Sequence, residues 1–451
     1  MEVRYGYVPT YDALDYVVPQ DATEVVIYCD VKNGLYPMYY EQAILSALKQ
    51  LKETGSINCG VINGLLNVVS FHKKWNKARR NGRHTIKVVF FYESGKSLYH
   101  TGLNKDYKSG RGISDYTNKL VTAEDMEDFG KLMRSNLEIF DKIANAIPDV
   151  YCVYLKYADA DYIPYYLTHH VGLAKNPQSF HIIYSTDKDM GQTLKSNVVQ
   201  YIRRKVQKDK VVDGVVTQKA GEIEHIYLND NDCNHFFWKM TGNNNFDVES
   251  SAMYLSLLGD GSDGIKGVDG IGGVAAENVF TLLWEHGHRK LSNPEIFFTA
   301  LDSVIEKISG NNKLIAENKE LLEKEKAKEL AELEKLSEST DDKEILKVKK
   351  TYTASKKVYN DKIKELRAED KLNNVNNNSL INKLLLIQRN KEVVELAWKQ
   401  ISFPEIIRKM DVSHKDRIQR VIDKQYVDEI SNLKDLNLLI NRTLSLNLYD
   451  K

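Results

Sequence analysis

The chain has 451 residues, 42% hydrophobic and 28% charged, a composition of globular proteins and a length for two or three domains. Lys+Arg and Asp+Glu both number 63, so the net charge is zero and a partner chosen by charge must be met by a local patch. The four cysteines, Cys29, Cys59, Cys152 and Cys233, form no CxxC pair, which disfavours a disulfide framework and a zinc knuckle; no basic-then-apolar leader and no run of ~18 apolar residues is present, so the expectation is a cytoplasmic protein, neither secreted nor membrane-spanning.

After an N-terminal extension (1–22), short apolar runs at 24–29, 85–92, 150–156 and 180–185 read as buried parallel strands. Between them Ile44, Ala47, Leu48 and Leu51, and Phe129, Leu132, Met133, Leu137, Ile139 and Phe140, recur at helical spacing. The expected fold class is therefore α/β over 23–258, a parallel sheet covered by crossover helices, with 207–245 read as a hairpin or two. A glycine-punctuated loop near Gly259 runs into a helix beginning near Gly273, and 259–310 is taken as a unit. Residues 311–372 are dominated by Lys, Glu, Leu and Ala and read as two long helices in an antiparallel hairpin. An Asn-rich linker opens a helical C-terminal region, 373–451.

Each strand is followed within three residues by a carboxylate: Asp30, Glu93, Asp159 with Asp161, and Asp187 with Asp189. Ligands of parallel α/β sheets bind outside the carboxyl ends of the strands, so these six converge on one rim, and Asp260 and Asp263 of the glycine-rich loop make eight. Two carboxylates ~4 Å apart repel by ~4 kcal/mol at an effective dielectric near 20. Such a cluster calls for cations, and an all-oxygen donor set suits Mg²⁺ or Mn²⁺. Taken singly, each residue reads equally well as a strand-to-helix cap.

Two divalent ions ~3.5–4 Å apart are a standard means of phosphodiester cleavage. Lys96, Lys105, Tyr107, Lys108 and Arg111 follow Glu93 closely; the basic residues suit a phosphate, and Tyr107 suits stacking on a base. A second basic run at 72–84 either faces the same substrate or is simply a solvated helix end, the second reading being slightly favoured. Gly267, Gly270 and Gly272, ahead of AAENVF, are spaced to let backbone N–H groups at a helix N-terminus approach a phosphate.

These motifs resemble the 5′ nucleases, the family of flap endonucleases, polymerase-associated 5′-3′ exonucleases and bacteriophage RNase H enzymes. IYCDVKNGLY is similar to the family's first-strand motif, YESGKSLYH with DYKSGR to its second acidic motif and basic helix, DADYIP to its paired acidic motif, STDKD to its Asp-x-Asp motif, and LLGDGSDGIKGVDGIGG to its last acidic motif fused to a helix-three-turn-helix. QRNKEVVELAW more weakly resembles the closing segment. Glu93 stands where the family usually has Asp, and Ala160 and Tyr162 where many members are more acidic. The resemblance implies a PIN-like domain followed by the helix-three-turn-helix, with two Mg²⁺ (or Mn²⁺) held by Asp30, Glu93, Asp159, Asp161, Asp187, Asp189, Asp260 and Asp263. It further implies catalytic Lys108 and Arg111, and contacts to DNA with 5′ ends or flaps, or to an RNA–DNA hybrid, in the cytoplasm (the host's, for a phage protein). Gly102, Gly110 and Gly112 disfavour a stable isolated helix after Glu93, which suits an arch ordering on DNA. The hairpin 311–372 lies outside the family pattern and reads as a projection that recruits a replication-protein partner, or as a plain spacer. The rival readings are a clamp that has lost cleavage and a ribonuclease of the wider PIN-like group.

Overall fold

The computed structural model describes residues 18–19, 21–30, 85–109, 141, 145, 149–171, 176–205, 210–212, 215–218, 220–221, 223–230, 247–336, 342–372 and 378–423. The helical patterns at 44–51 and 129–140 and the basic run at 72–84 lie outside them. Two compact units make up the chain: Met1–Lys239 with Asp260–Ile265 and Lys399–Lys451, and Met240–Gly259 with Lys266–Trp398. In chain order the described helices are α1 (Leu98–Leu103), α2 (Ile163–His169), α3 (Ser251–Leu258), α4 (Gly273–Glu285), α5 (Pro294–Leu336), α6 (Asp342–Leu372), α7 (Asn378–Arg389), α8 (Lys391–Ile401), α9 (Phe403–Lys409) and α10 (Val412–Ile422).

The first unit is built on strands β1 (Glu24–Asp30), β2 (Thr85–Ser94), β3 (Val150–Lys156), β4 (Ser179–Tyr184), β5 (Val198–Lys205) and β8 (Ile223–Leu228), in the order β3-β2-β1-β4-β5-β8. All neighbours are parallel except β5 and β8. The stretch 207–245 contributes one hairpin, β6 (Lys210–Val212) with β7 (Val215–Gln218), and then β8, which returns to the sheet. Alternate residues of β1 point to opposite faces, yet Val25, Val26, Ile27, Tyr28 and Cys29 are all buried, as a sheet covered on both sides requires. One face shares a core with Phe403, Ile406 and Ile407 of α9 and Ile418 and Val421 of α10. Arg417 fixes α10 over β3: its Nε donates to the Tyr154 carbonyl at 2.6 Å and its Nη2 to Asp141 at 2.9 Å. From β1 the chain builds outward to β2 and β3, then returns to add β4 on the other side. The carboxyl ends of β1 and β4 therefore flank the topological switch point, where an open α/β sheet leaves a crevice.

In the second unit the Val268 N–H donates to the Leu257 carbonyl, drawing the glycine-rich loop against the end of α3. A Cβ added to Gly267 would stand 2.3 Å from the Leu258 carbonyl carbon and 2.5 Å from Gly259 N. Backbone cannot yield as a side-chain tip can, so Gly267→Ala should destabilise this unit by ~3 kcal/mol or more. Urea titration followed by circular dichroism measures it; a loss under ~1 kcal/mol contradicts the close approach.

The hairpin is present, but α5 begins at Pro294 and not near 311: Phe297, Leu301, Val304 and Ile308 are core residues, and the same helix continues outward. Beyond them Asn311, Ile315, Asn318, Leu322, Glu325, Glu329 and Leu333 are withdrawn from solvent on α5, and Ile345, Val348, Tyr352, Ser355, Tyr359, Ile363 and Leu366, with Lys356 beside them, on α6. Steps of three and four residues mark the seam of a two-helix coiled coil. Its middle is polar, with Ser355 Oγ donating to Glu325 at 3.0 Å and Lys356 paired with Glu329, contacts that fix register where leucines would slide.

Candidate active site

All eight carboxylates belong to described residues of the first unit. Asp30 ends β1 and is 4% exposed. Glu93, near the end of β2, accepts a long hydrogen bond from the Ala160 N–H at 3.4 Å. Asp159 and Asp161 sit between β3 and α2, whose first turn carries Pro164, a position where the missing N–H costs nothing. After β4, Asp187 accepts from the Asp189 N–H at 2.9 Å and caps the 3-10 turn Lys188–Thr193. Asp260 and Asp263 occupy a loop closed by the paired two-residue strands Gly259–Asp260 and Ile265–Lys266.

Asp159 is the most heavily bonded member. Its Oδ1 accepts from Lys108 Nζ at 2.6 Å, while Oδ2 meets Tyr107 Oη at 3.0 Å and His100 Nδ1 at 2.9 Å. Burial alone would raise this carboxyl; the hydrogen bond from His100 and the charge of Lys108 outweigh it and hold the group well below the ordinary carboxylate range. Lys108 is kept protonated in turn, the desolvation that opposes its charge being overcome by Asp159, Asp161 and Glu93. It adopts φ 53°, a left-handed backbone uncommon outside glycine, and its own N–H donates to the Asp263 carbonyl at 2.9 Å. Asn104 Nδ2 donates to the Gly264 carbonyl at 2.9 Å, so residues 104–108 are docked along the 260–265 loop.

Asp161, Asp187 and Asp189 behave oppositely. Burial raises Asp161 well above the usual range, and Glu93, Asp187 and Asp30 add to it despite Lys108. Burial likewise raises Asp187, against its bond from the Asp189 N–H, with Asp263 and Asp260 adding to the rise. Asp189 is raised by burial, then by Asp187, Asp260 and Asp263. Asp161 thus feels the charges of Glu93, Asp187 and Asp30, and Asp189 those of Asp187, Asp260 and Asp263, with Asp187 common to both.

Among the described residues no three Asp, Glu, His or Cys side chains stand as a preformed metal cage. Lysines neutralise part of the set instead: Lys108 on Asp159, and Lys188 on Asp260 at 2.9 Å, where Ser262 also donates. The donors still fit hard divalent cations. They are all oxygen, and Asp189 Oδ1 is buried without a hydrogen-bond partner among the described residues.

Groups whose folded pKa lies above the unfolded value stabilise while protonated, fully so below the ordinary carboxylate value, and that contribution is lost as pH rises through the raised value. In EDTA the thermal midpoint should therefore fall as pH rises above the ordinary carboxylate range, through Asp161, Asp187 and Asp189. Mg²⁺ or Mn²⁺ should raise it at pH 8 more than at pH 5, by ~2.7 kcal/mol at a hundred times its Kd. Thermal melts in the four conditions check this; equal midpoints with and without metal at pH 8 contradict it.

Of the residues expected around a substrate, Lys96 and Lys105 are exposed and Arg111 lies outside the described residues, as does the remainder of the expected arch from Gly110. Gly102 is within the short helix α1. Tyr107 corrects the expectation of a stacking base: only 3% exposed, it stacks on His100 and gives its hydroxyl to Asp159 and, at 3.2 Å, to Asp263. The exposed ring in this stretch is Tyr157, two residues before Asp159, 57% exposed and left-handed at φ 57°. Residues missed in the sequence are His100 and Lys188. His100 is fixed by Ser97, which caps α1 three residues earlier, and by its Nε2 at 2.9 Å from the Gln400 carbonyl. The Ser-x-x-His spacing is a cap signal that sequence reading passes over.

The glycine loop is described in the second unit. Gly270 has φ +85°, in the region that favours glycine, and its carbonyl accepts from Lys383 Nζ at 2.7 Å. Gly272 precedes α4, whose exposed N-terminus has no side-chain cap. Gly267, expected to admit a phosphate, has a role within its own chain in the close approach described above.

No protein-family model and no curated protein sequence matches the chain. Among solved structures it is similar to zinc-bound bacteriophage T5 5′-exonuclease, at 13% identity and TM-score 0.47, over 90% of this chain and 100% of that one. It is also similar to T5 D15 protein co-crystallised with metal ions, at 12% identity and TM-score 0.44, over 92% and 99%. A third likeness is to a pseudo-enzyme-product complex of bacteriophage T5 D15 flap endonuclease with DNA and metal ions, at 10% identity and TM-score 0.45, over 89% and 98%.

Proposed function

We propose that the protein is a metal-dependent, structure-selective 5′ nuclease that hydrolyses phosphodiesters near 5′ ends or single-strand/duplex junctions. The observation that carries this reading is the set of carboxylates at and just after the carboxyl ends of β1, β2, β3 and β4 and in the 260–263 loop, with the half-buried Lys108 bonded to one of them. Asp30, Glu93, Asp161 and Asp187 would hold one divalent cation, and Asp187, Asp189, Asp260 and Asp263 a second; Asp159 acts chiefly through Lys108. Bound there, Mg²⁺ or Mn²⁺ would supply an activated water and charge stabilisation for attacking and leaving oxygens.

The chain's own groups do the rest. Lys108 brings a positive charge that remains through the reaction and orients the scissile phosphate, Arg111 is assigned the same role, and Lys96 and Lys105 approach the backbone from the exposed side. Tyr107 and His100 hold Asp159, and so Lys108, in place. The exposed N-terminus of α4 with Gly270 and Gly272 would accept a duplex phosphate through backbone N–H groups without reading sequence.

A clamp without cleavage is the second reading, and the undischarged carboxylates speak against it, because they repel phosphate unless cations are present. The test is a panel of labelled substrates: a 5′ flap, a nicked duplex, an RNA–DNA hybrid and a covalently closed single-stranded circle. Cutting of the first three without the circle supports the reading; equal cutting of the circle removes the 5′-end requirement.

A further inference from the structure

The two helices of the hairpin differ in how their charges are used. On α5, Lys324, Lys326 and Lys328 are ion-paired with Glu320, Glu323 and Glu325 at 2.7, 2.7 and 2.9 Å. Between Lys343 and Lys364, α6 carries eight lysines against two carboxylates, Glu344 and Asp361. Lys343, Lys347, Lys350, Lys357 and Lys364 recur in steps of three, four or seven, opposite the seam formed by Ile345, Val348, Tyr352, Ser355 and Tyr359. All five are exposed, and Lys347, Lys350, Lys357 and Lys364 make no ion pair among the described residues. Asp361 is the one carboxylate in the row.

We infer that this outer face of α6 is a sequence-independent binding surface for the phosphate backbone of duplex nucleic acid. From Lys347 to Lys364 is ~25 Å along a helix. A duplex presents a charge about every 1.7 Å of its axis, so each lysine finds a phosphate whatever the register. An acidic protein surface would need carboxylates set to the same repeat. Lysine is also depleted in protein–protein interface cores, where Arg and aromatic anchors dominate, and this row has neither. The inference deepens the nuclease reading, on which it rests for the class of substrate; it gives the hairpin a nucleic-acid partner where the sequence suggested a protein.

The test is binding of the full-length protein to a blunt duplex of about 40 base pairs in EDTA, where nothing is cut, over a range of salt. Replacing Lys347, Lys350, Lys357 and Lys364 together with Gln should weaken binding at least about ten-fold at ~0.1 M salt and reduce the slope of log K against log salt by about 3 to 4. The double variant Lys347→Gln/Lys350→Gln should show about half that change in slope, and Lys324→Gln/Lys326→Gln/Lys328→Gln, whose lysines are already paired, much less. An unchanged slope in the four-lysine variant, or loss of binding to polyglutamate with duplex binding intact, overturns the inference. A slope that depends on the four lysines in a protein that cuts no substrate supports this surface and removes the nuclease reading instead.

Discussion

Asp187→Asn and Asp189→Asn should each slow hydrolysis of a labelled 5′-flap substrate by ~10³-fold or more, about 4 kcal/mol of barrier, while leaving its binding within a few-fold. The charge of Asp187 is felt by both Asp161 and Asp189, so its loss weakens two cation positions at once. Asp189 brings a buried oxygen with no partner among the described residues, an arrangement that costs stability unless a cation uses it. Binding survives because removing a negative charge does not weaken attraction for phosphate, and both variants should be at least as stable as the parent in EDTA at pH 8, since each relieves repulsion. Single-turnover rates, binding isotherms and melts separate these effects; cleavage near the parent rate in both variants sinks the assignment.

Lys108→Ala should reduce kcat by ~10²- to 10³-fold with KM changed no more than about three-fold, the signature of a charge whose contact strengthens as the transition state forms. Among the described residues truncation leaves Asp159 with His100 and Tyr107 as partners, and removing the cation from a largely buried carboxylate is destabilising, so stability must be measured beside rate. Lys108→Arg preserves the charge and should recover part of the rate. If Lys108→Ala loses affinity alone, with a shallower salt dependence, its contact is a simple phosphate contact and the assigned catalytic role is wrong. Arg111→Ala is expected to change in the same direction.

The parallel sheet and its acidic rim were legible because both rest on local sequence: apolar runs make strands, and the next few residues fall at their carboxyl ends. Sequence reading also found the hairpin, since the seam repeats every three or four residues on each helix. It missed where the hairpin starts, because Gly310 followed by Asn311 and Asn312 reads as a break in the helix, whereas the helix that carries Phe297, Leu301 and Val304 runs straight through these residues into the seam. The fate of Tyr107 was illegible for another reason: whether a ring stacks on a base or hides beneath carboxylates depends on Asp159 and Asp263, 52 and 156 residues away. The two-unit division was hidden likewise, since residues 260–265 and 399–423 join the sheet unit through contacts distant in sequence.

The central claim is that the clustered carboxylates act by holding more than one divalent cation during phosphodiester hydrolysis. The most direct measurement is the single-turnover rate of 5′-flap cleavage as a function of free Mg²⁺ at fixed ionic strength and pH. The account predicts no cutting in EDTA, a rate that rises more steeply than first order at low Mg²⁺ and then saturates, and a reduced order in Asp187→Asn. Full cleavage in EDTA, or none at any concentration of Mg²⁺ or Mn²⁺ on a substrate the protein binds, would contradict it.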